Sequence, residues 1–186
     1  GIVTHNTISS IAGANAANMP FTAIVPAALR ENYKKELDKF GPSVPSEVIS
    51  QDAFAKGVLP HPESLVVDEA QRLRNQTSAR GSALQQAARN AKSVMLLSGT
   101  PIVNTPGDLA APLGVLTGKP ISSEEFESRF VDPIGTQPGA VRRLFGATPS
   151  GPRLKNVSAL AEMLKGKVDY HAAAVSPAEV TRETVP

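Results

Sequence analysis

The sequence predicts an α/β fold in which a parallel sheet is flanked by helices. Three observations carry the prediction. Short apolar runs alternate with helical segments from residue 21 to residue 98, the pattern of strand-helix-strand units. Two of those runs, LVV at 65–67 and VMLL at 94–97, stop abruptly at polar, reactive residues, as strands do where a parallel sheet meets its ligands. Aromatics make up only 4% of the chain and Trp is absent, so the core must be built from Ala, Val, Leu and Ile, which suits helices packed on a sheet. The 186 residues fit one domain that buries roughly two thirds of its unfolded surface.

The elements follow in order. Residues 1–3 (GIV) are a short apolar run, and 7–18 (TISSIAGANAAN) are small and apolar enough for a helix lying close on a sheet, ended by Met19 and Pro20. FTAIV at 21–25 reads as a strand closed by Pro26. A strong helix is expected over 27–40, with Leu29, Tyr33, Leu37 and Phe40 at helical spacing and Gly41-Pro42 as its stop. After a Pro/Ser linker, SEVIS at 46–50 is the next strand and QDAFAKG at 51–57 a short helix. SLVV at 64–67 is a third strand, 78–91 a polar helix, and SVMLLS at 93–98 a further buried strand that runs into Gly99-Thr100-Pro101. From Pro120 the pattern weakens. Residues 122–131 open with a serine cap and an acidic first turn, the signature of a helix. Residues 132–153, rich in Pro, Gly and Thr, read as a long surface loop, 156–168 as a helix, and 178–186 as a terminal strand or the start of a linker. No internal repeat is present.

Composition narrows the function. Lys plus Arg exceed Asp plus Glu by two, 19 against 17, a mild excess that permits nucleic-acid binding without arguing for it. Cysteine is absent, which removes disulfides, thiolate metal sites and Cys nucleophiles together and fits a reducing compartment. His5, His61 and His171 lie far apart without ligand spacing, so no metal site is expected from them. No apolar run reaches the length of a membrane span and no leader precedes Gly1. A soluble intracellular protein with no membrane partner is expected.

The segment SLVVDEAQRLRN at 64–75 concentrates the chemistry. Two adjacent carboxylates after a buried strand are costly unless something there needs them. Asp68 stands where a carboxylate holds Mg²⁺ against nucleotide phosphates, and Glu69 where it orients an attacking water. The bland alternative is a solvated turn or helix start, where acids favour the helix dipole. A second segment, LLSGTPIVNTPGDL at 96–109, tips the balance.

Together these segments resemble the superfamily 2 helicase-like ATPases, above all the Swi/Snf branch and its relatives in large DNA viruses and phages. The DEAH-type box is matched by Asp68-Glu69-Ala70-Gln71 and the (S/T)(A/G)TP motif by Ser98-Gly99-Thr100-Pro101. AIVPAALRENYKKEL at 23–37 and EVISQDAF at 47–54 resemble further family segments, and LRN and PIVN are typical of the Swi/Snf branch. The likeness covers most of residues 1–118.

The resemblance implies a RecA-like first lobe of a helicase or translocase spanning 1–186, with 119–186 holding a loop-rich insertion and a connector toward a second RecA-like lobe. It implies ATP and Mg²⁺ as cofactors and duplex DNA as partner, tracked rather than unwound. Asp68 and Thr7 would face Mg²⁺, Glu69 the attacking water, and Gln71 the nucleotide or the other lobe. Ser98, Gly99 and Thr100 would couple the ATP site to DNA, while Pro26, Ala27, Ser50 and Gln51 sit where relatives touch the DNA backbone. Arg72 and Arg74 would face the interlobe cleft, helping to hold Asp68 and Glu69 ionised or contacting the second lobe. Arg30, Lys34, Lys35 and Lys39 would lie near nucleic acid, although a solvated helix face explains them equally well. The expected location is cytoplasm, nucleoid or nucleus, or the particle of a DNA virus or phage.

One departure is chemical. A Gly-rich loop ending in Gly-Lys-Thr is expected before the first helix, but His5 and Asn6 run directly into Thr7. Without it there is no lysine on the phosphates and no backbone N–H nest around them. The well-matched flanks point to loop residues missing between Asn6 and Thr7 rather than to a replacement. As written, the chain is expected to bind ATP poorly and hardly to hydrolyse it. A catalytically inactive scaffold that binds DNA or protein is the runner-up. Thr7 alone reads more readily as a mere N-cap.

Overall fold

The computed structural model describes residues 5–132 and 153–168. Four strands, β1 (Phe21–Val25), β2 (Ser46–Ser50), β3 (Ser64–Val67) and β4 (Ser93–Leu96), pair in the order β2-β1-β3-β4, all parallel. Around them run α1 (His5–Ala17), α2 (Arg30–Phe40), α3 (Gln51–Ala55) and α4 (Ala79–Asn90).

The period of two along each strand divides the core between the faces. Ala23, Val25, Val48 and Val66 pack with Ile11 and Ala14 of α1 and with Tyr33 and Leu37 of α2. Ile24, Ile49, Leu65 and Val67 point the other way, against Phe54 of α3, Leu84 of α4 and Leu73. β1 and β3 are buried at every residue, which explains why both read as continuous apolar runs. The expected fold class is therefore the observed one, a parallel sheet flanked by helices.

Several boundaries differ from expectation for local reasons. The helix expected over 27–40 opens as a 3-10 turn, Ala27–Leu29, because Pro26 holds an extended ψ of 142°; Leu29 and Phe40 are exposed, and the buried face is Tyr33, Glu36 and Leu37. The final strand, expected to be buried, is half-exposed at all four positions of β4. β4 ends the strand order among the described residues, so only β3 covers its edge.

The largest element not anticipated is α5 (Ala110–Thr117), entered through a 3-10 turn at Pro106–Leu109. Pro112 obscures it in the sequence, yet Pro112 lies in the first turn, where no backbone N–H is needed. Gly118, at φ 68°, ends it in the left-handed conformation that glycine takes without penalty. Ala110 and Leu113 of α5 join Phe126 and Phe130 of α6 (Ser123–Phe130) and Leu160 of α7 (Val157–Leu164) in a third core beside the sheet. The loop expected over 132–153 is pinched at both ends by a short antiparallel ladder, β5 (Val131–Asp132) on β6 (Arg153–Leu154). α7 is shorter than the expected 156–168 and stops at Leu164, two residues before Gly166 at φ 68°. The apolar run at 1–3, the interior of the 132–153 loop and the segment 178–186 lie outside the described residues.

Candidate functional site

Register brings the candidate residues to one edge. Val25 pairs with Ser50, Ile24 with Val67, and Val67 with Leu96, so Pro26, Ser50, Asp68 and Ser98 all stand at the carboxyl ends of their strands. Backbone bonds carry the ladder past the strands: Asp68 N donates to Ile24 O at 2.9 Å, Leu97 N to Val67 O at 2.9 Å, and Ala70 N to Leu97 O at 2.9 Å. The last of these folds the acidic box back over the end of β4. Gln51 Nε2 donates to Asp68 O at 3.0 Å and fixes the box from the β2 side.

Asp68 is 4% exposed. Burial pushes its carboxyl above the ordinary aspartate value; the Glu69 amide, donating to Oδ1 at 3.0 Å, pulls it down, and the Glu69 charge pushes it up again. No arginine enters that balance. The expectation that Arg72 and Arg74 help hold Asp68 ionised is therefore corrected: Arg74 Nε lies 3.3 Å from Asp108 and its Nη1 donates to Gln71 O at 3.0 Å, while Arg72 is exposed.

Glu69 sits in the left-handed region at φ 51°, ψ 46°, a conformation that costs a non-glycine residue about 1–2 kcal/mol. Its side chain is held rather than free. Gln71 Nε2 donates to Glu69 Oε2. Ser98 Oγ donates to Gln71 Oε1 at 2.7 Å and accepts from Thr100 N at 3.1 Å. Gln71 thus joins the second acid of the box to the SGTP loop through its own amide. Gly99 and Thr100 are exposed at the tip of that loop.

The remaining candidates divide. Ser50 caps α3, accepting from Ala53 N at 3.1 Å, and Gln51 is 3% exposed, so both side chains are engaged within the fold. Pro26 is buried, and Ala27 is the exposed member of the set at 26–27 and 50–51. Of the basic set, Arg30 donates to Val48 O at 3.2 Å and Lys34 pairs with Glu31, the arrangement of a solvated helix face. Thr7 is buried in α1, and its carbonyl accepts from Ser10 Oγ at 2.7 Å. Ser10 Oγ also meets Tyr33 Oη at 2.7 Å. Burial pushes the Tyr33 hydroxyl up to about 12, the Ser10 bond opposes this, and the Asp68 charge adds to it. Asp68, Tyr33 and Ser10 thus share one electrostatic neighbourhood beside α1.

Two chemical demands of a nucleotide can be tested against these residues. A buried carboxylate whose burial disfavours its charge, at the open end of a strand, fits a divalent cation that also takes phosphate and water oxygens. Among the described residues no cluster of three His, Cys, Asp or Glu would hold a metal unaided. The phosphate side does not fit as well, because His5 and Asn6 run directly into Thr7 with no Gly-Lys between them.

Residues 49–166, more than half of the chain, match the family model of the SNF2-related domain. The chain belongs to that family. Among solved structures, the Sulfolobus solfataricus SWI2/SNF2 ATPase core in complex with dsDNA is similar at a TM-score of 0.53 and 24% identity. The similarity covers 67% of this chain and 31% of that one, so the chain spans about a third of that core. It establishes the fold, a RecA-like lobe. No curated protein matches the chain. The SNF2-related match takes in Ser50, Gln51, the box and the SGTP loop, and begins after Thr7, Pro26 and Ala27. It also includes Asp108, a residue with little signal in the sequence. Its one signal was an acid placed two residues after Pro106, at the entry to an apolar segment.

Among the described residues no helix is long and apolar enough to cross a membrane.

Proposed function

We propose that the chain is the first motor lobe of a Swi/Snf-like, DNA-dependent ATPase that uses ATP and Mg²⁺ to move along duplex DNA, working with a second RecA-like lobe. The observation that carries the reading is the hydrogen-bonded path from Glu69 through Gln71 to Ser98 and Thr100. An acid able to orient water and a loop able to touch a partner are linked there by one side chain. In this reading Asp68, with Thr7, faces the cation, which when bound neutralises phosphate charge. Glu69 accepts a hydrogen bond from the attacking water. Ser98, Gly99 and Thr100 meet the nucleic acid, together with Ala27 and the turns at Pro26, Ser50 and Gln51. The DNA in the Sulfolobus core supports duplex as the partner. Residues 119–186 would hold the insertion and the connector.

A second reading, a helicase-like scaffold without turnover, is favoured by one observation: Asn6 runs directly into Thr7 with no Gly-Lys between them.

Titration of a fluorescent duplex and of a fluorescent ATP analogue tests both. The motor reading expects micromolar or weaker duplex binding that falls with a slope of about 0.9 per phosphate contact as salt is raised, and a DNA affinity altered by Ser98→Ala. Duplex binding insensitive to salt, or unchanged by Ser98→Ala and Thr100→Ala together, would sink it. The scaffold reading fails if Glu69→Gln changes nucleotide-dependent behaviour.

A further inference from the structure

The SGTP loop has a second anchor. After Ser98 the chain runs exposed through Gly99, Thr100, Pro101, Ile102 and Val103, and Ile102 and Val103 are large apolar residues in water. A segment of that kind, without secondary structure, keeps one position only if its ends are tied. Ser98 ties one end to Gln71. At the other end Asp108 Oδ2 accepts from Val103 N at 2.9 Å and from Asn104 N at 2.7 Å. The same carboxylate meets Arg74 Nε at 3.3 Å, and Arg74 Nη1 donates to Gln71 O. The contacts therefore close a ring: Gln71 side chain, Ser98, loop, Asp108, Arg74, and back to the Gln71 carbonyl.

We propose that Arg74 and Asp108 form a latch that sets the SGTP loop against the acidic box, with Asp108 acting as a positioning residue for Ser98 and Thr100. The pair is sheltered, its side chains 13% exposed for Asp108 and 30% for Arg74, so it is screened less than a surface pair. Burial pushes the Asp108 carboxyl up, but the Asn104 and Val103 amides, the Arg74 guanidinium and the Thr105 amide together bring it below the ordinary range. The other charged groups on this side are Arg72, Arg80, Glu124 of α6 and Glu127 of α6; Arg80 pairs with Asp52, and Glu127 accepts from Thr105 Oγ1 at 3.1 Å. The value of the latch for DNA coupling rests on the motor-lobe reading; its existence does not.

The test uses amide chemical shifts and hydrogen exchange of the 186-residue chain at neutral pH, with no nucleotide or DNA present. Arg74→Ala is expected to move the Val103, Asn104 and Thr100 amide resonances and to speed their exchange about fivefold, the effect of one modest hydrogen bond. Arg74→Lys, which keeps the charge, should recover most of the protection, and Asp108→Asn should reproduce the Arg74→Ala pattern. Thr105→Val, which cuts only the neighbouring tie to Glu127, should leave Thr100 at its original rate. The latch is refuted if Arg74→Ala leaves Thr100 unchanged, or if Arg74→Lys behaves like Arg74→Ala. A chain that passes this test yet fails to bind duplex would overturn the motor reading and leave the latch standing.

Discussion

At the ends of β3 and β4 the polar side chains of the box are tied to one another and to the SGTP loop, whereas the start of α1 offers Thr7, small neighbours and no lysine. The first region is organised by the sheet: register places it, and backbone bonds past the strand ends hold it. In the proposed motor reading the second would depend on a Gly-Lys loop, and none stands between Asn6 and Thr7. On that proposed reading the carboxylate side is braced while the phosphate side lacks its loop. Binding and chemistry should respond to different changes.

The largest expected effect breaks the contrast outright. Inserting a Gly-x-Gly-Lys segment between Asn6 and Thr7 should tighten binding of Mg²⁺ and a fluorescent ATP analogue by two orders of magnitude or more, about 3 kcal/mol or above for a lysine and several N–H donors on phosphate. Turnover should not return with it, since a transition-state arginine, worth roughly 10³ to 10⁵ in rate, belongs to the proposed second lobe. An unchanged dissociation constant would mean that the start of α1 is not the phosphate side of this site.

The same contrast explains what could be read from the sequence. Strand-end residues such as Asp68 and Ser98 were legible because a buried strand makes a continuous apolar run and its end is sharp. α5 was not, because Pro112 and Gly114 look like breakers, and only the finished helix reveals that Pro112 lies in its first turn. The partner of Arg74 is hidden in the sequence for a similar reason. Asp68 is six residues away in the chain and Asp108 much farther, yet α5 and the turn before it bring Asp108 to Arg74. Exposure of β4 was hidden too, since an apolar strand reads alike at the end of a sheet and in its middle.

Next in size is a test of how firmly the box side is braced. Gly81, in the first turn of α4, packs so closely that an added Cβ would lie 1.9 Å from the Asn75 carbonyl oxygen. That oxygen already accepts from Ser78 N at 3.1 Å and Ser78 Oγ at 2.7 Å. Gly81→Ala should therefore cost about 1–3 kcal/mol and several degrees of Tm by forcing the backbone apart. A variant as stable as the parent would show that the turn between box and α4 is softer than this geometry implies.

Asp68→Asn should act in the opposite direction. The Asp68 carboxyl is raised in the fold, so its protonated form is favoured there; that contribution is complete below the unfolded value near 3.8 and disappears as pH rises through the folded value. At neutral pH the buried charge is a burden, and removing it should raise stability by about 1 kcal/mol in urea titrations while abolishing any cation-dependent binding. Asp108, whose carboxyl is lowered, gives the reverse profile: its contribution is present above 3.8 and is lost as pH falls through the folded value. Asp68→Asn that destabilises at pH 7 would place a stabilising partner on that carboxylate.

The smallest effect concerns the link between box and loop. Ser98 Oγ both donates to Gln71 and accepts from Thr100 N, and Ser98 is half-exposed, so water can replace either partner. Ser98→Ala and Gln71→Ala should each cost about 1 kcal/mol or less in stability. The informative quantity is their coupling. If the two side chains form one path, the double variant should lose less than the sum of the singles, by about 0.5 kcal/mol or more. Strict additivity would mean that the bond is present but carries nothing between Glu69 and Thr100. That result would remove the observation on which the motor reading leans, even with the fold and the family membership intact.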